Sequence, residues 1–60
     1  MAWIAIDYDG TEWIYRTQPF KGKIRFKTNS ECMELPKGSI KKLIGRELSW
    51  EDEPVELKEN

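Results

Sequence analysis

Few side chains in this sequence are of types that do chemistry. Histidine, the commonest general base, is absent, and Cys32 is the only cysteine. Cys32 belongs to the alternating run Cys32-Met33-Glu34-Leu35, which is typical of a strand and not of a nucleophile paired with a base. Asp7 and Asp9 flank a predicted turn, and turn chemistry accounts for both. The sequence therefore predicts no catalytic residues and a protein that is not an enzyme.

Metal and cofactor sites lack their usual ligands. One cysteine and no histidine cannot supply the tetrahedral ligand set of a zinc site. Glu51, Asp52 and Glu53 are adjacent in a predicted turn, whereas calcium loops need spaced oxygens. The four glycines are isolated from one another, so none of them builds a phosphate-binding loop. We expect no metal and no cofactor.

A basic stretch is the first candidate binding site. It contains five cations and no acidic residue: Arg16, Lys21, Lys23, Arg25 and Lys27. Because Phe20 and Phe26 are interleaved with them, the cations could follow a phosphate backbone while an aromatic ring stacks on a base. The alternative is that both phenylalanines are core residues and that the lysines only keep a strand soluble.

An acidic C-terminal segment balances these cations, which leaves a net charge of −1. Residues 47–60 hold six acidic side chains and one lysine. The simplest interpretation is that the basic and acidic segments face water or neutralise each other. The acidic side chains could also imitate a row of phosphates and occupy a basic groove on a partner. The overall acidity argues against a dedicated nucleic-acid protein, since such domains are usually strongly basic.

The first element that must position these residues is a β-hairpin. Residues 3–7 are β-branched and aromatic, and Asp9-Gly10 supplies the positive-φ position of a tight turn. A two-residue loop would place Asp7 opposite Glu12, an unfavourable pair of like charges. We therefore predict a three-residue loop over 8–10, which pairs residues 3 with 15, 4 with 14 and 5 with 13.

This register gives the hairpin two apolar faces. One face carries isoleucines 4, 6 and 14, and the other carries Trp3, Ala5, Trp13 and Tyr15. A chain of 60 residues is expected to have difficulty covering both faces. Trp3, Trp13 and Tyr15 are therefore predicted to form a protein-contact face. The alternative is that a helical turn, or the segment that contains Trp50, buries this face.

The remaining pattern predicts a mainly β fold. Residues 23–27 alternate, which predicts a strand with Ile24 and Phe26 inward, and residues 32–35 and 55–57 predict two more strands. A helical turn at about 40–44 has Ser39 as its expected N-cap and Gly45 at its end. We expect a small antiparallel sheet of four to five strands, curled into a partly open barrel, with the helical turn before the last strand. A single domain is predicted over 1–57, with a frayed C-terminus over 58–60.

The sequence thus favours a non-enzymatic, small protein-interaction domain of unknown partner that self-associates, for example as a homodimer. The alternative is a small nucleic-acid-binding domain that uses the basic stretch 16–27. No apolar run is long enough for a membrane span, and residues 1–4 do not resemble an export signal. With a single cysteine besides, these features predict a cytoplasmic location and no membrane partner.

Overall fold

The computed structural model describes residues 2–58, and these residues form six strands and one helix. In chain order they are β1 (Ala2–Ile6), β2 (Glu12–Tyr15), β3 (Phe20–Lys21), β4 (Phe26–Lys27), β5 (Cys32–Leu35), α1 (Ser39–Ile44) and β6 (Val55–Leu57). The strands β5, β2, β1 and β6 form an antiparallel sheet in that order, and β3 pairs with β4 in a separate ribbon. The mainly β fold with a short helix before the last strand is confirmed. Residues 2–58 form no closed barrel, and residues 59 and 60 of the predicted frayed end lie outside the described residues.

The β1–β2 hairpin has the predicted register, with Trp3 opposite Tyr15 and Ala5 opposite Trp13. Local chemistry of the loop sets this pairing. The N–H of Gly10 donates to the carbonyl of residue 7 at 2.9 Å, and Gly10 adopts the expected left-handed conformation with φ of 87°. The carboxylate of Asp9 accepts the N–H of residue 11 at 2.9 Å, as an Asx turn requires.

One face of the four-stranded sheet packs against the helix, and we call it the helix face. Ile4 and Ile40 are fully buried there, and Leu48 is nearly so. Six partly buried residues surround them: Ile6, Ile14, Leu35, Ile44, Val55 and Leu57. A helix of six residues cannot persist alone, so the burial of Ile40 is what keeps it in place.

The opposite face, which we call the ribbon face, has a cover of its own. Phe26 of the ribbon and the half-buried Trp50 pack over the side that carries Ala5 and Tyr15. The rings of Phe26 and Trp50 meet edge to face, with their centroids 5.2 Å apart. The expectation that so short a chain leaves one hairpin face uncovered is therefore wrong for much of this face, because two distant segments fold back onto it.

The helix begins differently from the prediction. Its N-cap is Gly38, and the side chain of Ser39 donates instead to the carbonyl of Pro36 at 2.6 Å. The free N–H groups of the first turn are bound by the buried carboxylate of Glu12 on β2. One of its oxygens accepts the N–H of Gly38 at 2.7 Å, and the other accepts the N–H of Ile40 at 2.8 Å. A side chain from the sheet thus fixes the start of the helix.

The predicted strand over 23–27 exists only in its last two residues, as β4. Residues 23–25 form the tight bend of the ribbon, where the N–H of Gly22 donates to the carbonyl of Arg25 at 2.8 Å. A side chain at position 22 would lie 2.7 Å from that carbonyl, so the bend requires glycine. Phe26 points inward as predicted, but Ile24 lies at the bend and is 67% exposed, so its predicted inward position is wrong.

Candidate functional site

The β3–β4 ribbon gathers four of the five cations of the basic stretch on one small hairpin. Lys21, Lys23, Arg25 and Lys27 all have exposed side chains within residues 20–27. Arg16 lies apart, at the end of β2, where its guanidinium forms an exposed salt bridge of 3.3 Å with Glu31. The structure therefore supports a cationic surface at residues 21–27 and separates Arg16 from it.

These four ribbon cations form no salt bridge within residues 2–58. The acidic side chains over 47–58 that the structure describes likewise pair with none of them. One interpretation of the sequence was that the basic and acidic segments neutralise each other. The direct ion pairs that this would require are absent from residues 2–58. The positive charge of the ribbon remains available to an anionic partner.

Aromatic side chains stand beside these cations. Phe20 on β3 is 52% exposed, whereas Phe26 on β4 is buried, so only one of the two is a core residue. The ammonium of Lys21 lies 4.7 Å from the ring centroid of Trp50, a cation–π contact, and the exposed Tyr8 meets the same indole edge to face at 6.4 Å. The sequence prediction missed Tyr8 here, although a side chain at the tip of a three-residue hairpin loop has little to bury it.

A cleft of about 520 Å³ opens between the ribbon and the ribbon face of the sheet. Six residues supply its chemistry: Asp7, Trp13, Tyr15, Phe20, Arg25 and Lys27. Aromatic walls, one carboxylate and two cations therefore meet in one concave space. Its size is that of an ordinary small-ligand site.

Asp7 is the most unusual group in the cleft. Its Oδ1 accepts the N–H of Phe26 at 2.9 Å, and this bond ties the hairpin to the ribbon. Burial raises the pKa of Asp7 above its usual value of 3.8, although the Phe26 N–H opposes the shift. The neighbouring Asp9 behaves oppositely, because hydrogen bonds from Thr11 lower its pKa. Asp7 is thus a buried contact residue as well as a turn former, a role that turn chemistry alone did not indicate.

Two aromatic residues in the cleft carry polar atoms that are largely withdrawn from water. The indole N–H of Trp13 is buried without a hydrogen-bond partner in residues 2–58. It lies near Asp7 and favours the charged form of that carboxylate, which lowers the pKa of Asp7 against the larger effect of burial. Burial, with the negative charge of Asp7 added to it, raises the pKa of the Tyr15 hydroxyl. Tyr15 therefore stays neutral at physiological pH.

The predicted protein-contact face of Trp3, Trp13 and Tyr15 lies mostly beneath the ribbon. Tyr15 is only 3% exposed, and the two tryptophans are half-buried around it. More apolar surface is open elsewhere, at the edge strand β5. Met33 is 65% exposed there and, with Ala2 and Ile14, lines a shallow apolar depression beside Cys32. The side chain of Cys32 is exposed and forms no disulfide.

Other kinds of site find little support in the described residues. No group of three or more carboxylate, thiol or imidazole ligands between residues 2 and 58 is arranged to hold a metal ion. The helix described here has six residues, and no helix in residues 2–58 is long and apolar enough to cross a membrane. Comparisons with protein families, with curated proteins and with solved structures gave no match.

Proposed function

We propose that this chain is a non-enzymatic domain that binds single-stranded nucleic acid through the β3–β4 ribbon. One observation carries the proposal: four exposed cations without carboxylate partners lie on a ribbon that also exposes Phe20. Cations of this kind neutralise phosphates, and an exposed ring stacks on a base. A cytoplasmic location is part of the proposal, because the free thiol of Cys32 suits a reducing compartment.

A single strand suits this surface better than a duplex. The two strands of the ribbon have only two residues each, and the only helix described has six, so neither element has the length of a major-groove reader. Stacking on Phe20 requires a base that is free of the double helix. If all four ribbon cations contact phosphates, the logarithm of the affinity falls with the logarithm of salt concentration with a slope of about −3.

Reversing the ribbon charges tests this function. We expect the triple variant Lys23→Glu, Arg25→Glu and Lys27→Glu to bind labelled single-stranded oligonucleotides at least about tenfold more weakly at low salt, because each change removes a phosphate contact. Fluorescence anisotropy measures the affinity. The matched control is the triple variant of the cations near the helix, Lys41→Glu, Lys42→Glu and Arg46→Glu, which changes the net charge equally.

The matched control separates contact from general repulsion. Equal losses in both triple variants would mean that net charge alone governs binding, and the ribbon would not be the site. Affinity that is independent of salt in the unmodified protein would contradict the proposal as well. Trp fluorescence of each variant confirms that the fold is intact before affinities are compared.

A second function, protein contact by self-association, is favoured by the edge strand β5. This strand pairs with β2 on one side only, so its other edge presents free backbone groups to another strand. The exposed Met33 adds apolar surface at the same edge. A second copy of the chain can pair its own β5 there in an antiparallel, isologous contact. The protein-interaction hypothesis is thus kept, but the proposed contact surface is the edge strand β5 and not the face that contains Tyr15.

Light scattering after size exclusion, over a range of concentrations, tests self-association. We expect a dimer that Met33→Lys shifts toward monomer, since a charge would then lie in the apolar contact. Leu43→Lys is the control, because Leu43 is similarly exposed but lies on the helix. A monomer at every concentration, or equal effects of the two variants, would exclude β5 as the interface.

A further inference from the structure

The cleft beneath the ribbon contains a carboxylate, that of Asp7, with an oxygen that a ligand can reach. Oδ1 of Asp7 accepts the N–H of Phe26, whereas Oδ2 is not among the buried, unpaired polar atoms of residues 2–58. The buried indole N–H of Trp13 lies near the same carboxylate and favours its charged form. The Asp7 carboxylate therefore lies at the cleft with an oxygen that is not fully buried and that can accept a hydrogen bond from a ligand.

The surroundings of Asp7 limit which ligand suits this cleft. Arg25 and Lys27 line the same space and favour an anionic ligand. The exposed ring of Phe20 provides a flat apolar wall. A carboxylate acceptor set among cations and aromatic rings suits a molecule that combines a negative group, a planar ring and an N–H donor. A nucleotide with an exocyclic amino group has all three features.

We propose that this cleft takes one unstacked nucleobase of the bound strand and prefers bases with an exocyclic amino group over thymine or uracil. The base stacks on Phe20, its amino group donates to Oδ2 of Asp7, and its phosphates lie along Arg25 and Lys27. This inference rests on the proposed function and adds a base preference to it. Thymine and uracil present a carbonyl where cytosine presents its amino group, and that carbonyl would face the carboxylate unfavourably.

Binding of short homo-oligonucleotides of equal length at one salt concentration tests the preference. We expect oligo(dC) to bind the unmodified protein about fivefold more tightly than oligo(dT), the size of effect that one hydrogen bond gives. Asp7→Asn is the decisive variant. Its amide oxygen can still accept the N–H of Phe26, while its NH₂ group replaces the second acceptor oxygen with a donor. The ratio of dC to dT affinity should then fall to one or invert.

Asp9→Asn is the matched control, because Asp9 lies only two residues away and does not line this cleft. It should leave the dC to dT ratio unchanged. A measurement without any protein variant covers the case in which Asp7→Asn fails to fold. Oligo(dC) methylated twice at each cytosine N4 cannot donate a hydrogen bond, and it should bind the unmodified protein no better than oligo(dT).

The outcomes separate this inference from the function on which it rests. Salt-dependent binding with equal affinity for oligo(dC), its methylated form and oligo(dT) would overturn the base preference and leave the ribbon as a strand-binding surface. A dC to dT ratio that Asp7→Asn and Asp9→Asn change equally would also overturn it. Absence of any oligonucleotide binding would remove both proposals.

Discussion

Replacing Ile40 by alanine is expected to lower the free energy of unfolding by about 2–4 kcal/mol. Ile40 is 1% exposed and is the buried residue through which α1 joins the helix face. It packs in one cluster with Ile4 and Leu48, so truncation removes apolar contacts and leaves a cavity between the helix and the sheet. With only six residues, the helix has no stability of its own to offset this loss.

For so small a domain this loss is nearly the whole of its stability. A chain of this size is expected to be stable by roughly 3–5 kcal/mol, so the Ile40→Ala protein should retain only about 1 kcal/mol and be measurably unfolded near room temperature. Urea unfolding followed by tryptophan fluorescence measures the change. Leu43→Ala is the matched control, because Leu43 lies in the same helix but is 53% exposed. It should change stability by less than about 0.5 kcal/mol. Equal effects of the two variants would mean that the helix is not docked through Ile40.

The parts of the fold that follow from neighbouring residues could be predicted from the sequence. The Asp9-Gly10 pair fixes the loop geometry within four residues, and the loop geometry in turn fixes the register of β1 and β2. The strands β5 and β6 have the predicted bounds for a similar reason. Their alternation or β-branched character is local, and Pro36 and Pro54 mark where β5 ends and where β6 begins.

The features that depend on distant contacts could not be predicted in this way. The carboxylate of Glu12 binds backbone groups that lie 26 and 28 residues further along the chain. Ser39 has the better local signature of an N-cap, and only the approach of β2 to the helix gives that role to Glu12. The position of Ile24 also depends on the ribbon as a whole. Alternation predicted an inward side chain, but the tight bend closed by Gly22 takes up residues 23–25, so Ile24 lies in the bend and not in β4.

In the candidate site, too, some features follow from neighbouring residues and others depend on distant contacts. The cations of the ribbon are visible in the sequence as a run without acidic residues, and their grouping on one hairpin follows from short local turns. Their cleft is not visible, because it forms only where the ribbon folds over Trp13 and Asp7. Composition also could not show which phenylalanine is buried. Phe26 is buried and Phe20 is half exposed because Phe20 pairs with Lys27 and Phe26 with Lys21, which places the two side chains on opposite sides of the ribbon.

Removing the carboxylate of Glu12 is the other substitution with a large expected effect. Glu12→Ala should lower the free energy of unfolding by about 3 kcal/mol, because the half-buried N–H of Gly38 and the buried N–H of Ile40 both lose their acceptor. Glu12→Gln keeps one oxygen and places an NH₂ group against the other donor, so we expect a loss of about 1–2 kcal/mol. Both variants remove the same charge, so equal losses of stability would mean that charge alone matters. A larger loss in Glu12→Ala than in Glu12→Gln would show that the hydrogen bonds matter.

Glu34 provides the control for both variants, since it lies on the adjacent strand β5 and its side chain is exposed. Glu34→Ala and Glu34→Gln change the net charge equally and should each cost less than about 0.5 kcal/mol. Urea unfolding gives the stabilities, and hydrogen exchange of the amides of Gly38 and Ile40 shows where the loss arises. These two amides should exchange faster in Glu12→Gln than in Glu34→Gln, relative to the other core amides. Equal exchange in the two variants would mean that Glu12 does not hold the first turn of the helix, and that Ile40 is held by packing alone.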